Sequence, residues 1–476
     1  MITFTICLLV LIIGYFVYGR FVEKVFGADD RPTPAITKAD GVDFIPMPAW
    51  KLFMIQFLNI AGLGPIFGAI MGAKFGTASF LWIVLGSIFA GATHDYIAGM
   101  LSLRNSGENL PDIIGRYLGK NAKLIMRIFT IVLMVLVGAV FVAGPAGLIA
   151  NLTPSALNTT FWMIVIFIYY LLATLLPIDK IIGRVYPIFA AALLFMAIGV
   201  LVMLYVNIPV LPEIWDGLAN THPNAEKLPI FPIMFVSIAC GAISGFHATQ
   251  SPLMARCMKK EKYGRPVFYG AMIVEGIVAL VWAAAATYFF QKNGMGESNA
   301  AVIVNDITNS WLGTIGGILA ILGVIAAPIT SGDTALRSAR LIIADFFNIE
   351  QKSIKKRLLI CVPMFACTFL LLLYSLRDAA GFDLIWRYFS WANQTLSVFT
   401  LWAITVFLVR ERKGLYFIIT LVPALFMTAI CASYICVAPE GFGILPDFSL
   451  VIASVVAVIS IVLFSIWYTK AKRNKM

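Results

Sequence analysis

The chain has 476 residues, of which 61% are hydrophobic and only 12% are charged. Soluble globular proteins carry about 25% charged residues, so this composition excludes an ordinary soluble enzyme, a disordered chain and a collagen-like one. The formal charge of +11, from 35 Lys and Arg against 24 Asp and Glu, then reads as basic loops held at a lipid bilayer rather than as a nucleic-acid surface.

An apolar run from Ile2 to Tyr18 opens the chain. No basic side chain precedes it and no small-residue cleavage site follows, so it reads as a membrane span and not as a cleaved signal. Arg20 and Lys24 come next, which puts that end in the cytoplasm and the N-terminus outside. With about 20 apolar residues needed to cross a bilayer, the hydropathy gives thirteen spans. They lie at 2–19, 50–73, 78–103, 124–150, 160–176, 185–206, 230–249, 266–290, 312–331, 357–375, 385–409, 414–437 and 449–469. Alternate gaps and the C-terminal tail then hold 29 of the 35 Lys and Arg. Among them are Lys180 and Arg184, Lys352, Arg412 and Lys413, and Lys475. The opposite gaps hold 5, namely Lys74, Lys227, Lys292, Arg377 and Arg387. The largest gaps are 20–49, 207–229, 291–311 and 332–356. In the last, Leu336, Ala339, Leu341, Ile342 and Ile343 alternate with Arg337, Arg340 and Asp345, the pattern of an amphipathic helix on the cytoplasmic surface. The seven Cys show no metal-binding spacing and read as small buried hydrophobes.

Two spans are interrupted. Span 2 reads QFLNIAGLGPIFGAIMGAKFG, with Gly62-Leu63-Gly64-Pro65 in mid-run, and Pro65 disfavours helical geometry at Gly64. Span 7 reads SIACGAISGFHATQSP, with Gly241, Ser244 and Gly245 near its middle. The two are five spans apart and start on opposite sides. Paired interruptions of this kind point to an inverted-repeat transporter, as against two unrelated Gly/Pro kinks. The expected units are an extra helix and cytoplasmic loop (1–49), a first five-helix repeat (50–206), an inverted second repeat (207–409), and two C-terminal helices with a basic tail (410–476). Broken helices suit a transporter because freed carbonyls attract cations and half-helix N-termini attract anions. Gly64, Gly68, Gly72 and Gly76 recur every four residues, a face that admits a close neighbour.

Polar groups inside a membrane are functional candidates by default. Glu275 in span 8, Asp95 after His94 in span 3, and His247 beyond the second break stand out. Gln56 and Asn59 precede the first break, Asn393 and Gln394 lie in span 11, and Asp333 ends span 9 after Thr330 and Ser331. Each has a structural alternative: a protonated, hydrogen-bonded Glu275, an Asp95 paired with Arg104, a satisfied core His247, and interhelical bonding by Asn393 and Gln394. His222 lies in a polar outer loop without an assigned role. A proton carrier needs a group that changes charge near neutrality, for which His247 and Glu275 are candidates. A sodium ion needs hard oxygens, which Thr330, Ser331 and the carbonyls of Ala61–Gly64 could supply. Proton and sodium both stay open as the coupling ion, and no cofactor is expected.

These segments resemble the carbon starvation protein A (CstA) family of peptide transporters. The resemblance is carried by Asn59-IAGLGPIFGAIMGAKFG with LWIVLGSIFAGATHDY, by CGAISGFHATQSP through YGAMIVEG, and by SGDTALRSARLIIADFF. It implies a bacterial inner-membrane carrier for peptides linked to carbon starvation, with pyruvate uptake in some relatives. It also implies kinship with the amino-acid/polyamine/cation superfamily, hence the leucine-transporter-like five-plus-five repeat with one N-terminal and two C-terminal additions. Carried over position by position, Asn59, Gly62, Gly64 and Pro65 mark the first break, and Gly245 and His247 the second. Asp95, Glu275 and Asp333 are polar positions in the shared blocks, and His94 is given no family role.

The expected function is a secondary carrier that imports small peptides and is ion-coupled, with a small monocarboxylate such as pyruvate as the nearest rival substrate. Asn59, Gly62, Gly64, Pro65, Gly245, His247 and Glu275 are the expected substrate contacts. Asp95, His247, Glu275, Thr330, Ser331 and Asp333 are the expected ion-coupling positions. An ATP-driven pump is disfavoured by the missing phosphate-binding GxxxxGK[ST] loop, and an enzyme by the missing HExxH and GxSxG. No pore-lining repeat suggests a channel.

Overall fold

In the computed structural model the described residues are 1–150, 152–175, 182–295, 300–351, 353–377, 381–411 and 414–473. Lys180, Lys352, Arg412, Lys413 and Lys475 lie outside them. The described chain is helical, with α1 (Ile2–Phe26), the bent pair α2 (Ala49–Ile60) and α3 (Gly64–Ala73), and α4 (Ala78–Arg104). There follow α5 (Lys120–Ala150), α6 (Thr159–Leu175) and α7 (Ile182–Asn207), then a broken segment, 230–242, that ends before α8 (Gly245–Ala255). The remaining helices are α9 (Ala271–Asn293), α10 (Ala300–Phe347), α11 (Ile354–Arg377), α12 (Gly381–Glu411), α13 (Ile418–Val437) and α14 (Ser449–Arg473).

Nine helices among the described residues are long and apolar enough to cross a membrane, or ten with the bent pair counted as one. With so many apolar spans, the chain is a multi-pass membrane protein. Three other expected spans are helical but differ from a plain apolar rod. Helix α6 is short, 230–255 is interrupted, and α10 carries Asp333, Arg337 and Arg340 along its second half. The outer ring of the bundle, in α1, α11 and α14, exposes Ile, Leu, Val and Phe side chains, as a lipid-facing surface requires.

The last long gap is the clearest departure from the sequence reading. Residues 332–347 are no separate surface helix: α10 runs unbroken from Gly313 to Phe347. Leu336, Ala339, Leu341 and Ile342 are buried, and so are Arg337 and Arg340. The two guanidinium groups are tolerated because each donates to a carbonyl at the end of α6, Arg337 to Ala173 (2.8 Å) and Arg340 to Thr174 (3.0 Å). Asp43 lies within 4 Å of both. Buried charges that are paired and hydrogen-bonded no longer mark a water-facing side. The gap at 291–311 is likewise helical from Ala300, with a bend at Gly313 (φ 63°), and the one at 20–49 begins inside α1.

Five Cys are buried as expected, whereas Cys436 is half-buried and Cys367 faces outward from α11. At the chain start, Glu213 accepts hydrogen bonds from the terminal amine and from the Ile2 and Thr3 N–H groups. Burial alone would raise the Glu213 pKa, but these donors outweigh it and hold the carboxyl down to about 2.

Candidate functional site

The first break is steric in origin. Helix α2 stops at Ile60, Ala61 leaves helical geometry (ψ 52°), and α3 starts at Gly64 with its axis turned by 56°. Pro65 sits in the first turn of α3, where its missing N–H has no partner to lose. The Ser331 hydroxyl of α10 reaches across and donates to the Leu58 carbonyl (3.0 Å) as well as to Ala327 (2.9 Å). Gln56 and Asn59, on the last turn of α2, are fully buried, yet none of their side-chain nitrogens or oxygens has a hydrogen-bond partner among the described residues.

The second break is held by hydrogen bonds. Ile243 and Ser244 are extended, and α8 begins at Gly245. An N-terminus of a helix needs an acceptor, usually from a neighbouring residue. Here it comes from α12: Asn393 Oδ1 accepts from the Phe246 N–H (2.6 Å) and the Ser244 hydroxyl (3.0 Å). A Cβ on Gly245 would lie 2.5 Å from the Asn393 carbonyl oxygen, so only glycine allows this approach.

The two breaks touch. A Cβ on Gly64 would sit 2.2 Å from that of Cys240, and one on Gly72 would sit 2.2 Å from the Ile238 side chain. The glycine face of α3 therefore packs on segment 230–242, as the four-residue spacing anticipates.

Beside the second break lie four ionisable side chains, all fully buried. His94 and Asp95 come from α4, His247 from α8 and Glu275 from α9. Asp95 Oδ1 meets His94 Nδ1 at 2.8 Å, and Asp95 Oδ2 meets His247 Nδ1 at 2.8 Å. His247 Nε2 lies 3.3 Å from Glu275 Oε2. An ionised Asp95 accepts on both oxygens, so each histidine must carry its proton on Nδ1. His247 Nε2 then faces Glu275 either as a base or as a donor. The two arrangements, neutral imidazole with carboxylic acid or imidazolium with carboxylate, differ by the place of one proton. Neither Glu275 oxygen has a hydrogen bond among the described residues, which leaves Glu275 the loosest member of the group. With one proton on the His247–Glu275 pair the tetrad carries a net −1, and one further proton brings it to zero. A net charge is expensive inside a membrane bundle, which makes the group a candidate proton site.

Residues 1–157, 148–313 and 292–433 match the family Carbon starvation protein CstA. The chain belongs to this family. An uncharacterized membrane protein of Haemophilus influenzae is 43% identical over 61% of this chain and 92% of its own length. The peptide transporter CstA of Bacillus subtilis is 29% identical over 89% of this chain and 88% of its own length. The pyruvate/proton symporter BtsT of Escherichia coli is 29% identical over 58% of this chain and 48% of its own length. Among solved structures, a manganese transporter of Eremococcus coleocola superposes with a TM-score of 0.58 at 13% identity, covering 92% of this chain and 99% of that one. At that identity the likeness shows a shared fold, that of the leucine-transporter-like carriers. This CstA-family chain is thus a membrane transporter.

The structure brings together part of the expected set. His247, Asp95 and Glu275 meet as one cluster, and Gly245 starts the helix that carries His247. Asn59, Ala61, Gly62, Gly64 and Pro65 form the first break, with Ser331 against it. Thr330 bonds to the Ala326 and Ala327 carbonyls of its own helix. Asp333 lies in mid-helix and takes a hydrogen bond from Tyr186 (2.6 Å). The alternative pairing of Asp95 with Arg104 is not made, because Arg104 binds Glu261 at 2.9 Å and caps the Gly27 carbonyl. Asn393 makes the interhelical bond expected of it, and His94, given no family role, joins the cluster through its contact with Asp95. For His94 the signal was its place next to a buried carboxylate.

Proposed function

We propose that this transporter is a proton-coupled importer of small peptides in the bacterial cytoplasmic membrane, used when carbon or other nutrients run short. The buried His94–Asp95–His247–Glu275 tetrad against the second break is the observation that carries the reading. On this reading it holds or releases one proton among fully buried side chains beside the second break. Alternating access would rock the two broken helices against their neighbours. The peptide carboxylate would face a half-helix N-terminus at the breaks, and its final place is open because the Phe246 N–H is taken by Asn393 and the Ile66 and Phe67 N–H groups by the Leu63 carbonyl. Asn59 and Gln56 would bond the peptide backbone, and the peptide amine would approach Glu275. Sodium coupling would use Ser331, Thr330 and the Ala61 carbonyl instead, with Asp333 as the nearby charge.

The proposed topology has thirteen spans with the N-terminus outside and the C-terminus inside, arranged as inverted repeats 50–206 and 207–409, flanked by 1–49 and 410–476. A small monocarboxylate such as pyruvate is the second reading, favoured by the similarity to the pyruvate/proton symporter. Pyruvate has no amine to pair with an acid, so Glu275→Gln should impair peptide transport more than pyruvate transport.

The test is uptake of a labelled dipeptide into proteoliposomes under an inward proton gradient without sodium, with unlabelled pyruvate as competitor. Gradient-driven uptake that resists pyruvate supports the reading. Counterflow of pyruvate with no peptide uptake sinks the peptide assignment and keeps the carrier.

A further inference from the structure

A cavity of about 370 Å³ opens at the end of the molecule that bears His222. Its size is that of a small-ligand pocket. It lies at the distal ends of both broken elements: Met71 and Phe75 line it from the α3 side, and Ser237 from the other. One turn further in, the backbones close on each other, since a Cβ on Gly68 would lie 2.7 Å from the Ser237 carbonyl oxygen. The cavity therefore stands at the mouth of the seam between the two breaks.

Its charges are of both signs. Glu440, beyond the end of α13, has a side chain only 3% exposed. Oε1 accepts from the Tyr434 hydroxyl (2.6 Å), and the Glu440 carbonyl accepts from Tyr388 (3.2 Å), so the residue is held in place. Oε2 has no hydrogen bond among the described residues. Its nearest charge is Arg387 Nε of α12 at 3.4 Å, on a side chain 46% exposed. Trp386, Phe75 and Tyr434 add aromatic wall. A half-exposed guanidinium beside a buried, positioned carboxylate with an open oxygen fits a ligand that itself carries both charges. The carboxylate of the ligand would go to Arg387, its ammonium to Glu440 Oε2, and its side chains to the aromatic wall.

We infer that this outer cavity is a second binding site for small zwitterions, a loading site in which Arg387 and Glu440 read the two ends of a short peptide before it reaches the breaks. The inference rests on the peptide-import reading for its direction of travel but not for its chemistry.

The test uses the full-length protein in proteoliposomes with Met71→Cys as reporter, since Met71 lines the cavity and is 37% exposed. A membrane-impermeant maleimide is added from outside, the labelling rate being corrected for the parent protein. Alanylalanine should slow labelling of Met71→Cys, whereas its N-acetylated form and its amide should protect at least about ten-fold less well. Glu440→Gln should abolish the preference over the N-acetylated form, Arg387→Gln the preference over the amide, and Arg387→Lys should restore part of it. Equal protection by all three compounds, or protection unchanged in both charge-neutral variants, overturns the site. Protection without transport leaves this site standing and counts against the import reading. Transport with unaltered KM in both variants and no protection does the reverse.

Discussion

The two helix breaks solve one problem in different ways. At the first, the chain stops being helical because Gly62, Gly64 and Pro65 make it do so, and the polar side chains next to it, Gln56 and Asn59, are bound to nothing among the described residues. At the second, no proline is needed. Asn393 of α12 holds the Phe246 N–H and the Ser244 hydroxyl, and a charged tetrad is fixed alongside. An unpartnered buried polar group is costly unless something binds it during function. On the proposed reading the first break takes the substrate, and the second, where His94 Nε2, His247 Nε2 and both Glu275 oxygens also lack a hydrogen bond among the described residues, takes the proton.

The largest effect that would break this comparison is loss of coupling at the second site. His247→Gln and Glu275→Gln should each abolish gradient-driven accumulation of dipeptide while leaving counterflow measurable, because exchange needs no net proton movement. If accumulation survives in both, the tetrad is merely structural. Next comes the contact between the breaks. Gly64→Ala places a methyl against Cys240, and overpacking of that kind costs about 1–3 kcal/mol, to be seen as a lowered midpoint of thermal unfolding in detergent. Pairing it with Cys240→Gly should recover part of the loss. Asn393→Ala strands the Phe246 N–H and the Ser244 hydroxyl, with an expected cost of about 1–3 kcal/mol in the same measurement. The smallest effect on stability belongs to the first break. Asn59→Ala removes no hydrogen bond among the described residues, so its stability change should stay within about 1 kcal/mol while KM for dipeptide rises several-fold. A large stability loss with unchanged KM would reverse the roles assigned to the two breaks.

Much of this arrangement could be read from the sequence because it is local. Gly-Leu-Gly-Pro in an apolar run interrupts a helix by its own sterics, and the four-residue glycine spacing on α3 dictates a close neighbour whatever that neighbour is. Glu275 and Asp95 stood out because a carboxyl in an apolar run has few reasons to be there. What could not be read depends on partners far along the chain. Asn393 caps a helix about 150 residues away, and no local pattern distinguishes that from an ordinary interhelical hydrogen bond. Arg337 and Arg340 made α10 look water-facing from Gly332 onward, because hydropathy registers the charge but not Asp43 or the α6 carbonyls that compensate it. His94 shows the converse: its place beside Asp95 is legible, but nothing local shows that its imidazole bonds that carboxylate.

The central claim, that a proton enters with the substrate through the tetrad, is tested most directly by following internal pH. Wild-type proteoliposomes carrying a trapped pH dye, with equal pH and no sodium on either side, are given a dipeptide. The account requires the interior to acidify as the peptide enters and requires that signal to vanish in Glu275→Gln. Peptide uptake with no change of internal pH, or uptake that appears only with an inward sodium gradient, would contradict it.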